Sequence, residues 1–313
     1  MELVEGVVKG NELCAAKLIS LIEEGEQEGY LALRRLLPYT GNAHVIGVTG
    51  PAGAGKSTVI GKLAAQFCRD GKKVAVIAVD PTSIRSSGAF LGDRLRMKEA
   101  EKAGDVFIRS MAQRNHPGGI CRAASGAVCV MEGLGKDVVI IESVGAGQSD
   151  KALFHLADTV ITLFTPEFGD EVQLLKAGLF EIGDVVVINK GDMPGVEDAR
   201  QMISAYIGDG HGDGWHIPIL STIASRGEGI DELMRALETR WEFLREADRG
   251  RLARREKRVS FLMTLLKEEL WKFFAGRLST DDGFQATMEE VREGRLDPYS
   301  AVDRIMDGVK KAG

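Results

Sequence analysis

Seven short apolar runs rich in Val and Ile recur between residues 44 and 240: Val45–Val48, Val74–Val79, Val106–Ile108, Val138–Ile141, Val160–Phe164, Val185–Ile188 and Ile217–Leu220. Near-continuous apolar runs of this kind suit strands buried on both faces. Helical patterns separate them, which predicts right-handed βαβ units and a mainly parallel, doubly wound α/β sheet. Ligands of such sheets gather at the carboxyl ends of the strands. The unusual polar residues of this chain follow the runs, so they fall where one ligand can touch them.

The flanks read as helices. An amphipathic stretch through Leu13, Ala16, Ile19 and Ile22 stops at Gly25. A second, through Leu31, Leu33, Leu36 and Leu37, stops at Pro38. The expectation for residues 1–40 is a helical hairpin packed on the main domain. After about 240, charge crowds Arg245 to Arg258 and leads into an apolar stripe of Val259, Leu262, Met263, Leu265, Leu266, Leu270, Phe273 and Phe274. That predicts a long helix, followed by shorter ones near 281–293 and 298–311. The stripe packs either on its own domain or on a copy of itself. The division is then an N-terminal helical extension (1–40), a nucleotide-binding domain (41–240) and a C-terminal helical region (241–313).

The first run opens directly into Gly50-Pro51-Ala52-Gly53-Ala54-Gly55-Lys56-Ser57-Thr58, and a helical pattern without Pro follows. This is the context of a phosphate-binding loop. Its glycines permit close backbone approach, so successive N–H groups can face phosphate oxygens, and the helix N-terminus adds a favourable dipole. Lys56 is expected to reach the β- and γ-phosphates, and the Ser57 hydroxyl to bind Mg²⁺.

Asn189-Lys190-Gly191-Asp192 after the sixth run addresses the base. A carboxylate at Asp192 can accept from both N1–H and the exocyclic amine of guanine, a pair of donors adenine lacks. Lys190 can lie along the base plane, and Asn189 can tie this loop to the phosphate loop. The plain alternative is a polar turn at a strand end. Ser221, Thr222 and Ile223, after the seventh run, are assigned to the same nucleotide.

Glu142-Ser143-Val144-Gly145 closes the fourth run, where nucleotide hydrolases place an acid that orients Mg²⁺. The Gly145 N–H can sense the γ-phosphate. Asp80 and Asp93 are the other candidate carboxylates on the metal side, and a hard cation accepts such oxygens with several waters retained. Lys56, Asp93 and Glu142 form the expected catalytic set. Arg94 and Arg96 can neutralise phosphate charge. Gln148 stands three residues after Gly145, so no residue is assigned to position the attacking water. Slow intrinsic hydrolysis that a partner accelerates is the expectation.

Bulk properties narrow the class further. The chain has 313 residues, 44% hydrophobic and 27% charged, with a net charge of −6 that argues against general nucleic-acid binding. Cys14, Cys68, Cys121 and Cys129 are scattered and form no metal cluster. No membrane-length apolar stretch and no basic, apolar leader is visible, so the expectation is a cytoplasmic protein with no membrane partner.

Taken together, Val79-Asp80-Pro81-Thr82-Ser83, Leu91-Gly92-Asp93-Arg94-Leu95-Arg96-Met97, Glu142-Ser143-Val144-Gly145-Ala146-Gly147-Gln148-Ser149 and Asn189-Lys190-Gly191-Asp192 make the chain similar to the MeaB/ArgK family of phosphate-loop GTPases. These are chaperones of cobalamin-dependent acyl-CoA mutases. The resemblance implies GTP/GDP and Mg²⁺ as ligands, with Lys56 and Ser57 on phosphate and metal. It places Asp80, Asp93 and Glu142 around the metal, and Asn189, Lys190 and Asp192 on guanine. Cobalamin would belong to the partner mutase, and that mutase's adenosyltransferase would be a further partner. The resemblance also implies a signalling segment over residues 165–176, including Glu167, Asp170, Gln173 and Lys176, and a homodimer formed through the stripe at 259–274. Ala146 and Pro117 depart from the family pattern. Two other readings stay open: a GTPase metallochaperone for another metalloenzyme, and a protein kinase or transport-coupled ATPase.

Overall fold

The computed structural model describes residues 2–80, 99–100, 102–112, 119–143, 156–166, 183–207, 214–246 and 281–312, with individual residues between 252 and 276. Two compact units divide the chain, Met1–Phe261 and Leu262–Gly313.

The first unit is built on seven parallel strands: β1 (His44–Thr49), β2 (Val74–Asp80), β3 (Val106–Ala112), β4 (Val138–Glu142), β5 (Thr159–Phe164), β6 (Val185–Asn189) and β7 (Ile219–Thr222). Their order is β3-β2-β4-β1-β5-β6-β7. The chain leaves β1 toward β2 on one side and later returns past it to β5 on the other. The topological switch point therefore lies at the carboxyl end of β1, where the glycine-rich loop begins.

Alternation along the strands divides the core in two. Val45, Ala75, Ile77, Val139, Ile141 and Val160 face one layer, while Ile46, Val48, Val76, Ile140, Ile161 and Leu163 face the other. The first layer consists of α1 (Glu2–Val8), α2 (Glu12–Glu24), α3 (Gln27–Leu36) and α5 (Gly119–Gly133). The second contains α4 (Lys56–Arg69) and α7 (Ile230–Arg245). Toward β6, α6 (Val196–Ile207) adds Ile203 to a smaller cluster with Phe164, Val186, Ile188, Trp215 and Ile217.

The N-terminal region thus covers one sheet face, as three helices rather than the two expected. Asn11 explains the division: its Oδ1 accepts from Leu13 N and Cys14 N at 3.0 and 3.1 Å and starts a new helix after α1. Gly25 ends α2 in the left-handed conformation. Two strands also differ from the apolar runs. β7 begins at Ile219 because Pro218 has no N–H to give, although its carbonyl accepts from Val186 N at 3.0 Å. β3 continues past Ile108 through Arg109 and Ser110, since an edge strand is only half covered.

A repeated device marks the amino end of the sheet. Asp137, Asp158 and Asp184 each stand one residue before a strand. Their carboxylates accept from Lys73 N, just before β2, and from Val45 N of β1 and Val160 N of β5 at 2.8, 2.9 and 2.8 Å. Their own amides donate back to the carbonyls of those three residues at 2.8, 2.7 and 2.8 Å. Basic side chains close over the acids. Arg254 grips Asp158 with Nε and Nη2, both at 2.7 Å, and Arg240 meets Asp184 at 2.7 Å. Lys136 pairs with Asp105 and with Glu12. His44 stacks on Trp241 with centroids 4.5 Å apart, and burial pushes its pKa down to about 4 although Asp158 pulls the other way.

In the second unit, α8 (Asp282–Arg292) and α9 (Pro298–Ala312) follow the capping residues Asp281 and Asp297. Thr287 and Ala301 are buried, and Arg304 reaches Glu290 at 2.9 Å. Of the apolar stripe, Leu262, Met263, Leu266 and Leu270 are exposed. Among the described residues no helix is long and apolar enough to cross a membrane.

Candidate functional site

Four strand ends supply the site. The loop after β1 turns through Gly50 at φ +146°, where a Cβ would stand 2.3 Å from Leu163 O, so no side chain fits. Gly55 at φ +92° is under the same pressure, with a Cβ 2.3 Å from Asn189 Nδ2. Gly55 caps α4 without a side-chain bond, which leaves the first N–H groups of that helix facing the loop. Lys56 begins α4 and is buried; its ammonium donates to Gly50 O at 2.8 Å and Pro51 O at 3.1 Å. The cation therefore lies inside the curve of the loop, which runs through Ala52, Gly53 and Ala54, with Thr58 one residue beyond Ser57.

Ser57 Oγ donates to Glu142 Oε1 at 2.7 Å, joining the start of α4 to the end of β4. Both residues are buried. Just beyond, Ser143 N donates to Val48 O at 3.0 Å and Ser143 Oγ to Thr49 Oγ1 at 3.1 Å, so the acid strand is fastened to the root of the glycine loop. The β2–β4 register pairs Ala78 with Glu142, which puts the backbone of Asp80 two residues further along the adjacent strand. A hydroxyl and a carboxylate in contact, beside a cradle too tight for a Cβ, are hard-oxygen donors of the sort Mg²⁺ takes. The residues fit a metal–phosphate ligand. Among the described residues there is no group of three or more His, Cys, Asp or Glu that could hold a metal ion without such a ligand.

The other half of the site is knotted around Asn189 at the end of β6. Its Nδ2 donates to Ala54 O at 2.8 Å, across 135 positions of sequence. Its Oδ1 accepts from Thr222 Oγ1 at 3.0 Å and Ala224 N at 3.1 Å. One buried amide thus fixes three loops. Lys190 follows with φ +60°, the only non-glycine with positive φ among the described residues, an unfavourable backbone state of the kind that collects at binding sites. Gly191 N then donates to Thr222 O at 2.9 Å, and Asp192 is left partly exposed with Arg226 Nη2 at 3.3 Å.

The residues read from the sequence meet the structure unevenly. Residues 50–58, Glu142, Asn189, Lys190, Asp192 and 221–223 gather at the carboxyl ends of β1, β4, β6 and β7. Within the last segment, Thr222 touches Asn189, whereas Ile223 N is taken by Glu228 O at 3.0 Å. Sequence reasoning does not single out Ala224 or Arg226. Their only signal is a place in a polar strand-end segment, because an alanine that acts through its backbone N–H leaves no mark in composition. Asp93, Arg94, Arg96, Gly145, Gln148, Glu167, Asp170, Gln173 and Lys176 lie outside the described residues, as does the side chain of Asp80.

Known proteins agree with this architecture. A putative GTPase of Pyrococcus horikoshii is 38% identical over 98% of this chain and 98% of its own. A mouse protein named methylmalonic aciduria type A homolog, mitochondrial, is 30% identical over 98% of this chain and 79% of its own. The solved structure described as a LAO/AO transport system kinase superposes with a TM-score of 0.77 at 28% identity, covering 99% of this chain and 97% of that one. The family model described as methylmalonyl Co-A mutase-associated GTPase MeaB matches residues 15–278. The chain belongs to that family of phosphate-loop GTPases.

Proposed function

We propose that this GTPase is a nucleotide-driven chaperone of a cobalamin-dependent acyl-CoA mutase, gating the loading of the mutase's cofactor and protecting or reactivating it in the cytoplasm. The observation that carries the reading is the family match over residues 15–278, whose description names methylmalonyl-CoA mutase. The mouse relative's name, with its methylmalonic aciduria, points to the same metabolism.

In this reading residues 50–58 wrap the phosphates, and Lys56 neutralises the β- and γ-oxygens. Ser57 and Glu142 hold Mg²⁺, with Asp80 and Asp93 adding carboxylates nearby. When bound, the metal supplies further neutralisation of phosphate charge. Asn189 keeps the phosphate and base loops in one register, while Lys190 and Asp192 meet guanine together with the 221–224 segment. Arg94, Arg96, Gly145 and Gln148 answer to the γ-phosphate. The segment carrying Glu167, Asp170, Gln173 and Lys176 passes that state to the mutase, and hydrolysis ends it. Cobalamin stays with the mutase and its adenosyltransferase, and the C-terminal stripe joins two copies of this chain.

Co-elution of the purified protein with a methylmalonyl-CoA-type mutase, and a GTPase rate raised by that mutase, are the expected results. No binding to any such mutase would sink the proposal. The name of the relative with the solved structure favours one competing reading, a kinase for a transport system. It predicts a labelled protein acceptor from γ-labelled nucleotide, whereas the chaperone reading predicts free phosphate only.

A further inference from the structure

Arg226 and Asp192 meet at 3.3 Å on top of two loops whose backbones are fixed from below. On the Arg226 side, Ile223 N donates to Glu228 O at 3.0 Å, Arg226 N to Ile223 O at 2.9 Å and Gly227 N to Ala224 O at 3.2 Å. Gly229 closes this turn at φ +78°, where a Cβ would strike Ser221 O at 2.3 Å. On the Asp192 side, Gly191 N is held by Thr222 O at 2.9 Å and Met193 N by Lys190 O at 3.0 Å. A side-chain pair carried on mobile loops would form only in passing. Here both are presented from hydrogen-bonded turns, so the two Cα positions are held and only the side-chain torsions are left to settle.

We propose that Arg226 is a positioning residue for guanine recognition, fixing the rotamer of Asp192 so that its carboxylate faces the base before the base arrives. The inference rests on the reading of Asp192 as the guanine contact. Asp192 is 42% exposed in its side chain, and without a partner it would sample several rotamers. A carboxylate oxygen accepts more than one hydrogen bond, so the contact from Arg226 leaves capacity for the two donors of guanine. Glu228 lies 3.9 Å from the other edge of the guanidinium, at Nη1. Arg226 also follows directly on the segment whose Thr222 and Ala224 are tied to Asn189. The same turn therefore ties down the base loop and aims the residue that reads the base.

The test compares binding of GDP, inosine diphosphate (which lacks the exocyclic amine) and xanthosine diphosphate (which carries a carbonyl there). Exposed pairs are weak, so Arg226→Ala is expected to weaken GDP binding about two- to five-fold and to narrow the GDP-over-inosine preference by a similar factor. Arg226→Lys should recover part of both. Asp192→Asn should move preference toward xanthosine diphosphate, and on that background Arg226→Ala should have no further effect. If Asp192→Asn leaves the guanine preference unchanged, the reading of Asp192 fails and this inference goes with it. If Asp192→Asn shifts the preference while Arg226→Ala and Arg226→Lys both bind as the native chain does, the role of Arg226 alone is overturned.

Discussion

The two ends of one sheet use similar residues to opposite effect. At the amino end, carboxylates are saturated: Asp158 takes Val45 N and two nitrogens of Arg254, and Asp184 takes Val160 N and Arg240. At the carboxyl end, Glu142 accepts from the Ser57 hydroxyl at the start of α4, and Asp192 lies half-exposed with Arg226 Nη2 at 3.3 Å. The amino-end groups are organised by each other, whereas those at the carboxyl end stand beside a glycine cradle open to a ligand. Carboxylates locked onto strand amides and arginines hold a frame, and carboxylates set beside a glycine cradle are placed for chemistry.

If that contrast is right, damage at the two ends should separate stability from activity. The largest effect is expected from Asp158→Ala, which removes the acceptor of Val45 N and strands Arg254 against the carbonyls of Gly41 and Ala43. Breaking a buried pair in this way costs about 3–5 kcal/mol, measurable by urea unfolding, with GTP affinity of the folded fraction unchanged. Lys56→Ala should do the reverse: kcat/KM for GTP falls by about 10²–10³, as when one preorganised donor is lost, and the urea midpoint moves little. Equal losses of stability in the two variants would erase the distinction.

The pH dependence sharpens it next. His44 is held neutral by burial, with a folded pKa of about 4 against 6.5 for the free side chain. Its contribution is complete above pH 6.5 and is lost as pH falls through that window to 4, because the unfolded chain takes the proton first. The loss amounts to about 3 kcal/mol, and His44→Gln should flatten the corresponding slope in acid unfolding. The smallest effect is expected from Thr222→Val, which deletes the hydroxyl bonded to Asn189 Oδ1 at 3.0 Å. It should cost about 1 kcal/mol of stability and raise the Kd for GDP by only a few fold.

Much of the fold could be read from the chain because strands buried on both faces leave uninterrupted apolar runs. The exceptions have local causes. Arg109 sits in an edge strand and faces Glu23 and Ser20 of α2, so its polarity concealed the second half of β3. α1 is a seven-residue helix with only Val7 buried, too short to show a period. In the site, the spacing of Gly50, Gly55, Lys56 and Ser57 announced itself because one loop needs them together. The tie from Asn189 to the phosphate loop was legible too and is made at Ala54 O, whereas its bond from Ala224 could not be read, since that residue acts through the backbone. Arg254 was hidden for a different reason. Within the charged stretch from Arg245 to Arg258 it looks like its neighbours, and only the fold brings it to Asp158, 96 positions away.

The aspartates before β4, β5 and β6 have one more consequence, which concerns alternatives to the native sheet. A parallel strand that slips by one residue turns its apolar side chains to the wrong face. In this sheet the slip would also carry each carboxylate off the backbone N–H it binds and misplace the amide that answers it. Three strand pairs, β4 with β2, β5 with β1 and β6 with β5, are indexed in this way. The chain thus carries its own alignment marks, set at the end of the sheet remote from the nucleotide loops, so those loops can diverge in sequence without loosening the frame that holds them.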